Sequence, residues 1–234
     1  MPTLKSVISW IKKLIEAVLD ILAPEDIKIQ KLLDLSPGVM RDLLPKSPVY
    51  MKDVFVLFDY QNKIVRLIVK GIKYKNNASL TKRIGGFLYE EILDMSSEIA
   101  LFEGAPPLLV PMPMSKKEKM SRGFNQCEEL VREIKKIGGN NVEVSYNTLK
   151  KVGETKRQTI LSREERTENV KGSMCAFLTS EATIKMQHPD RSVGRGRTVI
   201  VLDDVYTTGA SISEARRALL SAGARRVIGL FIAH

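Results

Sequence analysis

The chain has 234 residues, 44% of them hydrophobic, enough for one large domain with a sizeable core or one domain plus a small appendage. That composition excludes a disordered tail, a collagen-like repeat and a coiled coil. The 37 Lys and Arg against 27 Asp and Glu give a formal net charge of +10, which implies anionic partners: phosphates, nucleic acid or an acidic membrane surface. Aromatic residues are only 6% of the chain, which weakens any platform for stacking the bases of a single strand. The two cysteines, Cys127 and Cys175, lie far apart and outside any CxxC, so a disulfide scaffold and the usual zinc and redox-pair spacings are excluded. Both read as small buried or half-buried side chains. The start carries no signal-peptide pattern, and no apolar run reaches the roughly 18–20 residues that span a bilayer. The expectation is a cytoplasmic protein without a transmembrane segment.

Residues 4–22 predict an amphipathic helix, with Val7, Ile8, Ile11, Leu14, Ile15, Val18, Leu19 and Leu22 at three- and four-residue steps. Pro24 ends it. A short helix is expected over 37–44, with Ser36 as its cap and Pro37 in its first turn. Pro45 and Pro48 punctuate a linker, and a boundary near residue 50 divides a helical N-terminal extension (1–50) from the main domain (51–234). The main domain opens with a strand over 54–58 and a helix through Ile64, Leu67, Ile68 and Ile72. A second helix is expected over about 80–93, with Gly85 and Gly86 as breaker signals in its middle. Residues 108–110 form a short buried strand, closed by Pro111 and Pro113. A basic loop follows, then a helix over about 125–137 and a strand through Val142 and Val144. Residues 150–171 are densely charged and read as a loop or a strand pair.

The last forty residues are the most informative. Residues 198–202 are an apolar run without alternation, the pattern of a central parallel strand, and Asp203 and Asp204 end it. A small-residue turn leads into a helix over 211–221, with Gly223 as its C-cap, and residues 227–232 form the next strand. This βαβ unit implies an open α/β sheet with ligands at the carboxyl ends of its strands. The turn presents Thr207, Thr208 and Ser211 around Gly209, whose freedom permits a positive φ or close backbone approach. Amides and hydroxyls so arranged suit a phosphate monoester. The two carboxylates suit vicinal hydroxyls or Mg²⁺, directly or through water. A ribose 5-phosphate carrying a metal-bound second group satisfies both halves. Neither a dinucleotide-binding GxGxxG nor a Walker A loop is present.

The segment 199–211 (VIVLDDVYTTGAS) resembles the phosphoribosyl pyrophosphate signature of type I phosphoribosyltransferases, and the chain resembles the ComF family of competence-associated phosphoribosyltransferase-like proteins. Further stretches agree: 54–60 (VFVLFDY) with 68–74 (IVKGIKY), 110–114 (VPMPM) with 121–126 (SRGFNQ), and 155–166 (TKRQTILSREER) with 168–172 (ENVKG). The resemblance runs from about residue 50 to the C-terminus. One departure is clear: residues 20–50 hold no cysteine or histidine where family members commonly carry a zinc module, so no zinc is expected and a helical substitute is inferred.

The resemblance implies a type I phosphoribosyltransferase-like open, mostly parallel sheet flanked by helices, with a small hood and a helical N-terminal extension. It implies that Asp203 and Asp204 contact the ribose hydroxyls and Mg²⁺. Thr207, Thr208, Gly209, Ala210 and Ser211 would hold the 5′-phosphate. Residues 111–116 would form the pyrophosphate loop, with Arg122 and Lys116 neutralising charge, and residues 153–169 would close over the site. The implied reaction transfers the phosphoribosyl group from phosphoribosyl pyrophosphate to a nitrogen acceptor with release of pyrophosphate. No side chain is an evident general base; His188 and His234 lie outside every motif. Three functions stay open: a phosphoribosyltransferase, an accessory protein of DNA uptake binding single-stranded DNA or an uptake helicase, and a non-catalytic sensor of the donor. The oligomeric state is open, a dimer included. For DNA, the expected phosphate contacts are residues 116–122 and 150–171 with Arg191, Arg195 and Arg197.

Overall fold

The computed structural model describes residues 24–49, 51–103, 105–152, 172–178 and 196–234. The expected helix over 4–22, the loop over 153–169, His188, Arg191 and Arg195 lie outside them. The chain divides into two compact units at Leu43/Leu44.

In the first unit, helix α1 (Glu25–Leu33) follows Pro24 and has Glu25 and Asp26 in its first turn and Lys31 in its last, each charge complementing the helix dipole. The periodicity reading missed it. Of its four apolar residues, Ile27, Ile29, Leu32 and Leu33, Ile29 and Leu32 are buried while Ile27 is exposed. Helix α2 (Pro37–Leu43) forms where expected, with the Ser36 hydroxyl accepting from the Val39 amide at 3.4 Å.

In the second unit, β1 (Val54–Phe58) leads into α3 (Lys63–Lys75), whose N-cap Asn62 accepts from the amides of Ile64 and Val65. Helix α4 (Ala78–Glu103) runs ten residues beyond its expected end. Gly85 does not interrupt it; that glycine faces the helix over Gln126–Gly138, and a Cβ there would stand 3.0 Å from the Glu133 Cβ. Strand β2 (Leu108–Pro111) is fully buried.

The expected basic loop after it is instead helix α5 (Lys116–Arg122), stopped by Gly123 at φ 84°. Its start is a capping box: Ser115 Oγ accepts from the Glu118 amide at 3.2 Å, and the Glu118 carboxylate accepts from the Ser115 amide at 3.1 Å. Helix α6 (Gln126–Gly138) is capped by Asn125 and followed by β3 (Glu143–Val144). Strands β4 (Leu149–Lys151) and β5 (Met174–Ala176) pair antiparallel as a separate two-stranded sheet. Then come β6 (Thr198–Val205), α7 (Ala210–Ser221) and β7 (Arg226–Ala233).

The main sheet is an open α/β arrangement flanked by helices, ordered β1-β7-β6-β2-β3, and every pairing in it is parallel. Strand β6 is longer than expected. Asp203 and Asp204 do not end it, because β7 continues alongside, with Asp203 opposite Phe231 and Val205 opposite Ala233. At β2 and β6 the chain leaves in opposite directions, to β3 on one side and β7 on the other, which opens a crevice at their carboxyl ends. Among the described residues no helix is long and apolar enough to cross a membrane.

Candidate functional site

The crevice holds a pocket of about 190 Å³. One wall is the continuous stretch β6–loop–α7. Thr198 is fully buried; its hydroxyl donates to the Glu103 carboxylate, which also accepts from its amide, so the start of β6 is fixed below the site. At its far end the strand alternates, and the two carboxylates therefore leave in different directions. Asp203 Oδ1 accepts from the Asp204 amide at 2.9 Å and from the Cys127 thiol at 3.5 Å. Asp204 Oδ1 accepts from the Val205 amide at 3.0 Å.

The loop that follows is tied down at Tyr206, whose amide donates to the Ala233 carbonyl at 2.8 Å and whose ring stacks on His234 with centroids 5.4 Å apart. Gly209, the N-cap of α7, has φ 77°, the left-handed conformation that its sequence position called for. A Cβ there would also meet the Tyr206 hydroxyl at 2.6 Å.

The opposite wall comes from α3, the β2–α5 turn, α6 and β4. Lys73, in the last turn of α3, places Nζ 2.8 Å from Asp204 Oδ2. The Gln126 side-chain amide donates to the same oxygen at 3.2 Å, and Arg122 donates to the Gln126 carbonyl oxygen. The Arg122 guanidinium also lies over the Tyr74 ring, 5.4 Å from its centroid. Asn125 fixes the turn by donating to the Met112 carbonyl at 3.1 Å.

These contacts set the charges. Burial and then the adjacent Asp204 carboxylate push the Asp203 carboxyl up to about 7. Burial pulls the Lys73 ammonium down, but the Asp204 carboxylate outweighs it and the pKa rises to about 12. Burial, reinforced by both aspartates, pushes the Cys127 thiol well above its ordinary range, which makes it a buried packing group rather than a thiolate.

The pocket brings together Asp203, Asp204, Arg122, Thr207, Gly209, Ala210 and Ser211. Lys116 and Thr208 are not among its lining residues. Lys116 begins α5, and the Thr208 hydroxyl turns back to the Ala210 amide at 3.4 Å. Lys73, Gln126 and Tyr206 line the pocket without having been singled out individually. Lys73 and Gln126 both fall in stretches that carry the family resemblance, and that was the available signal.

Two of the basic residues expected to meet DNA are engaged within the protein. Lys119 reaches both oxygens of Glu128 at 3.1 Å, and Arg197 pairs with Glu143 at 2.8 Å and donates to the Pro106 carbonyl.

Mg²⁺ at the carboxylate pair would compete with contacts already made there. Both oxygens of Asp204 and one of Asp203 already accept from protein donors, and an ammonium occupies the coordinating position at Asp204. Direct coordination of a divalent ion at Asp204 Oδ2 does not fit this arrangement unless the ammonium leaves, because two cations at that oxygen repel. Among the described residues no group of three or more His, Cys, Asp or Glu is placed to hold a metal.

No protein-family model matches the chain. It is similar to Competence protein F of Haemophilus influenzae, 23% identical over 175 residues that span 75% of this chain and 70% of that protein. Competence protein ComFC of Bacillus subtilis is 30% identical over 124 residues, 53% of this chain and 42% of that one. DNA utilization protein YhgH of Escherichia coli O157:H7 is 23% identical over 184 residues, 79% of this chain and 72% of that one. Among solved structures, a hypoxanthine phosphoribosyltransferase from Staphylococcus aureus aligns with 63% of this chain and 62% of its own length, at 9% identity and a TM-score of 0.32. The chain is phosphoribosyltransferase-like in its motifs. It is homologous to the ComF family of competence proteins.

Proposed function

We propose that this chain is an accessory protein of DNA uptake or utilization, built on a phosphoribosyltransferase-like domain whose pocket binds a phosphorylated ribose. The observation that carries the first half is the homology: the relatives are named as competence and DNA utilization proteins, and several are matched over about three quarters of this chain. The net charge of +10 is compatible with a nucleic-acid partner. In this reading the main domain begins near residue 51, a helical extension precedes it, and the β4–β5 pair serves as the hood.

The ligand half rests on the pocket. The loop 207–211 provides a phosphate seat at the start of α7, and Asp203 and Asp204 face the hydroxyls of the sugar. Titration calorimetry with ribose 5-phosphate and with phosphoribosyl pyrophosphate tests this. Wild type is expected to bind both, and D203N/D204N neither; equal heats for the two proteins would overturn the assignment. For DNA, fluorescence anisotropy with a short single strand is expected to give salt-sensitive binding, with log affinity falling by about 0.7 per neutralised phosphate for each decade of salt. Saturating donor should displace the strand if both use the pocket rim. No binding at low salt, or binding indifferent to salt, would remove the nucleic-acid half.

A second reading, favoured by Arg122 sharing the pocket with the two carboxylates, is turnover. An acceptor nitrogen would bond to C1 of the donor as the C1–oxygen bond breaks and pyrophosphate leaves with the electron pair. The carboxylates would stabilise the positive charge developing on the ribose, and Arg122 the departing pyrophosphate. Release of pyrophosphate in the presence of candidate amines separates this from a sensor that binds without reacting.

A further inference from the structure

The feature that neither the motif nor the homology explains is the cation already seated on the acidic pair. Lys73 arrives from α3, some 130 positions from the aspartates, and its Nζ lies 2.8 Å from Asp204 Oδ2. Its side chain is 27% exposed and that of Asp204 8%, so the pair is largely withdrawn from water and little screened. It is also oriented: the Gln126 amide shares Asp204 Oδ2, and Arg122 holds Gln126 in turn. Asp203 is the adjacent carboxylate, its charge also favours the Lys73 ammonium, and Lys73 lines the pocket with both aspartates.

Two adjacent carboxylates repel an anionic ligand unless a cation offsets them. A divalent ion could reach Asp204 Oδ2 only by displacing Lys73, since two cations cannot share that oxygen at close range without strong repulsion. We propose that the Lys73 ammonium is the built-in counter-cation of the Asp203/Asp204 pair, and that it lets the pocket take a phosphorylated sugar without a divalent metal. This rests on the reading of the pocket as a phosphoribose site and adds to it: the protein supplies from its own chain the positive charge that the motif implies would come from Mg²⁺. Lys73 is thus a positioning residue. It holds the Asp204 carboxylate in place through that 2.8 Å contact.

The test uses the full-length protein and ribose 5-phosphate as probe, titrated calorimetrically in EDTA and again in millimolar Mg²⁺. Wild type is expected to bind equally well in both. K73Q should lose about tenfold or more in EDTA, equivalent to about 1.4 kcal/mol, and recover much of it with Mg²⁺; K73R should stay close to wild type in both. A second measurement does not depend on the sugar. Electron paramagnetic resonance of added Mn²⁺ should show no ordered site in wild type and a new one in K73Q. If wild type binds the sugar only with metal and already holds Mn²⁺, the counter-cation proposal is wrong while the phosphoribose site stands. If wild type binds no sugar under any condition, the site reading itself fails. Should K73Q not fold, the wild-type metal dependence and the Mn²⁺ spectrum still decide.

Discussion

The two walls of the pocket are built in different ways. One is a single stretch of chain, Asp203 to Ser211, in which a paired strand runs into a loop and then into a helix. Its geometry is mostly backbone: the ladder to β7, the Tyr206–Ala233 bond and the positive φ of Gly209. The other is a set of side chains on three separate elements, Lys73, Arg122 and Gln126, joined only by hydrogen bonds and charge. A wall made of backbone is specified locally and is hard to alter without touching the fold. A wall made of side chains is specified by tertiary structure and can be altered residue by residue.

The largest expected effect comes where the walls meet. D204A leaves the half-buried Lys73 ammonium without its carboxylate, and removing one member of such a pair costs about 3–5 kcal/mol when fully buried. With Lys73 27% exposed, a loss nearer 2–3 kcal/mol is expected in a urea melt, together with loss of ribose 5-phosphate binding. A stability change below about 0.5 kcal/mol would show that the walls are not coupled.

Next is G209V. A β-branched residue at φ 77° is strained by about 1–2 kcal/mol, and its Cβ would displace the Tyr206 ring. Both stability and phosphate binding should fall. A mutant that melts early but binds normally would mean that the loop's shape is unimportant to the ligand.

The third effect depends on pH. Asp203 titrates near 7 in the folded protein against an ordinary value of 3.8, so the folded state favours the protonated acid. Stability from this group is full at low pH and is lost as pH rises through 7. D203N should therefore raise Tm most at pH 8, and the gain should shrink toward pH 5. A gain that grows on acidification would reverse the sign.

The smallest effects fall on the side-chain wall. R122A should change stability by less than about 1 kcal/mol yet weaken pyrophosphate-bearing ligands more than ribose 5-phosphate. K116E, outside the pocket, should do neither; equal losses from both in calorimetry would erase the distinction between them.

Legibility in the sequence followed the same division. The apolar run before Asp203 and the small-residue turn after it are contiguous, so strand, loop and helix could be read together, and only the strand's length was underestimated because pairing with β7 is not local. Helix α5 was hidden by its own charges. Lys116, Lys117 and Lys119 read as a solvated loop, although Ser115 and Glu118 already had the spacing of a capping box. Lys73 was the hardest to see. It continues the stripe Lys63, Arg66, Lys70 at helical spacing, and the first three are exposed, so nothing in the period marks the fourth as turned inward. Its place in the stretch 68–74 that carries the family resemblance marks it in the sequence, and the fold sets it on Asp204.

The extension of β6 through both aspartates has a consequence for how the site would come apart. The acidic pair extends β6 past its pairing with β2, which ends at Leu202, but stays in the ladder with β7, a well-protected position in native-state hydrogen exchange. Their opening is expected with that of the β6–β7 ladder, on a slow timescale. The seven-residue α5 that ends in Arg122 has no buried residue and should exchange through local fraying, long before the sheet opens. The acidic half of the pocket is therefore part of the β6–β7 ladder. The cationic rim around Arg122 belongs to a smaller unit that can open and re-form while the protein stays folded.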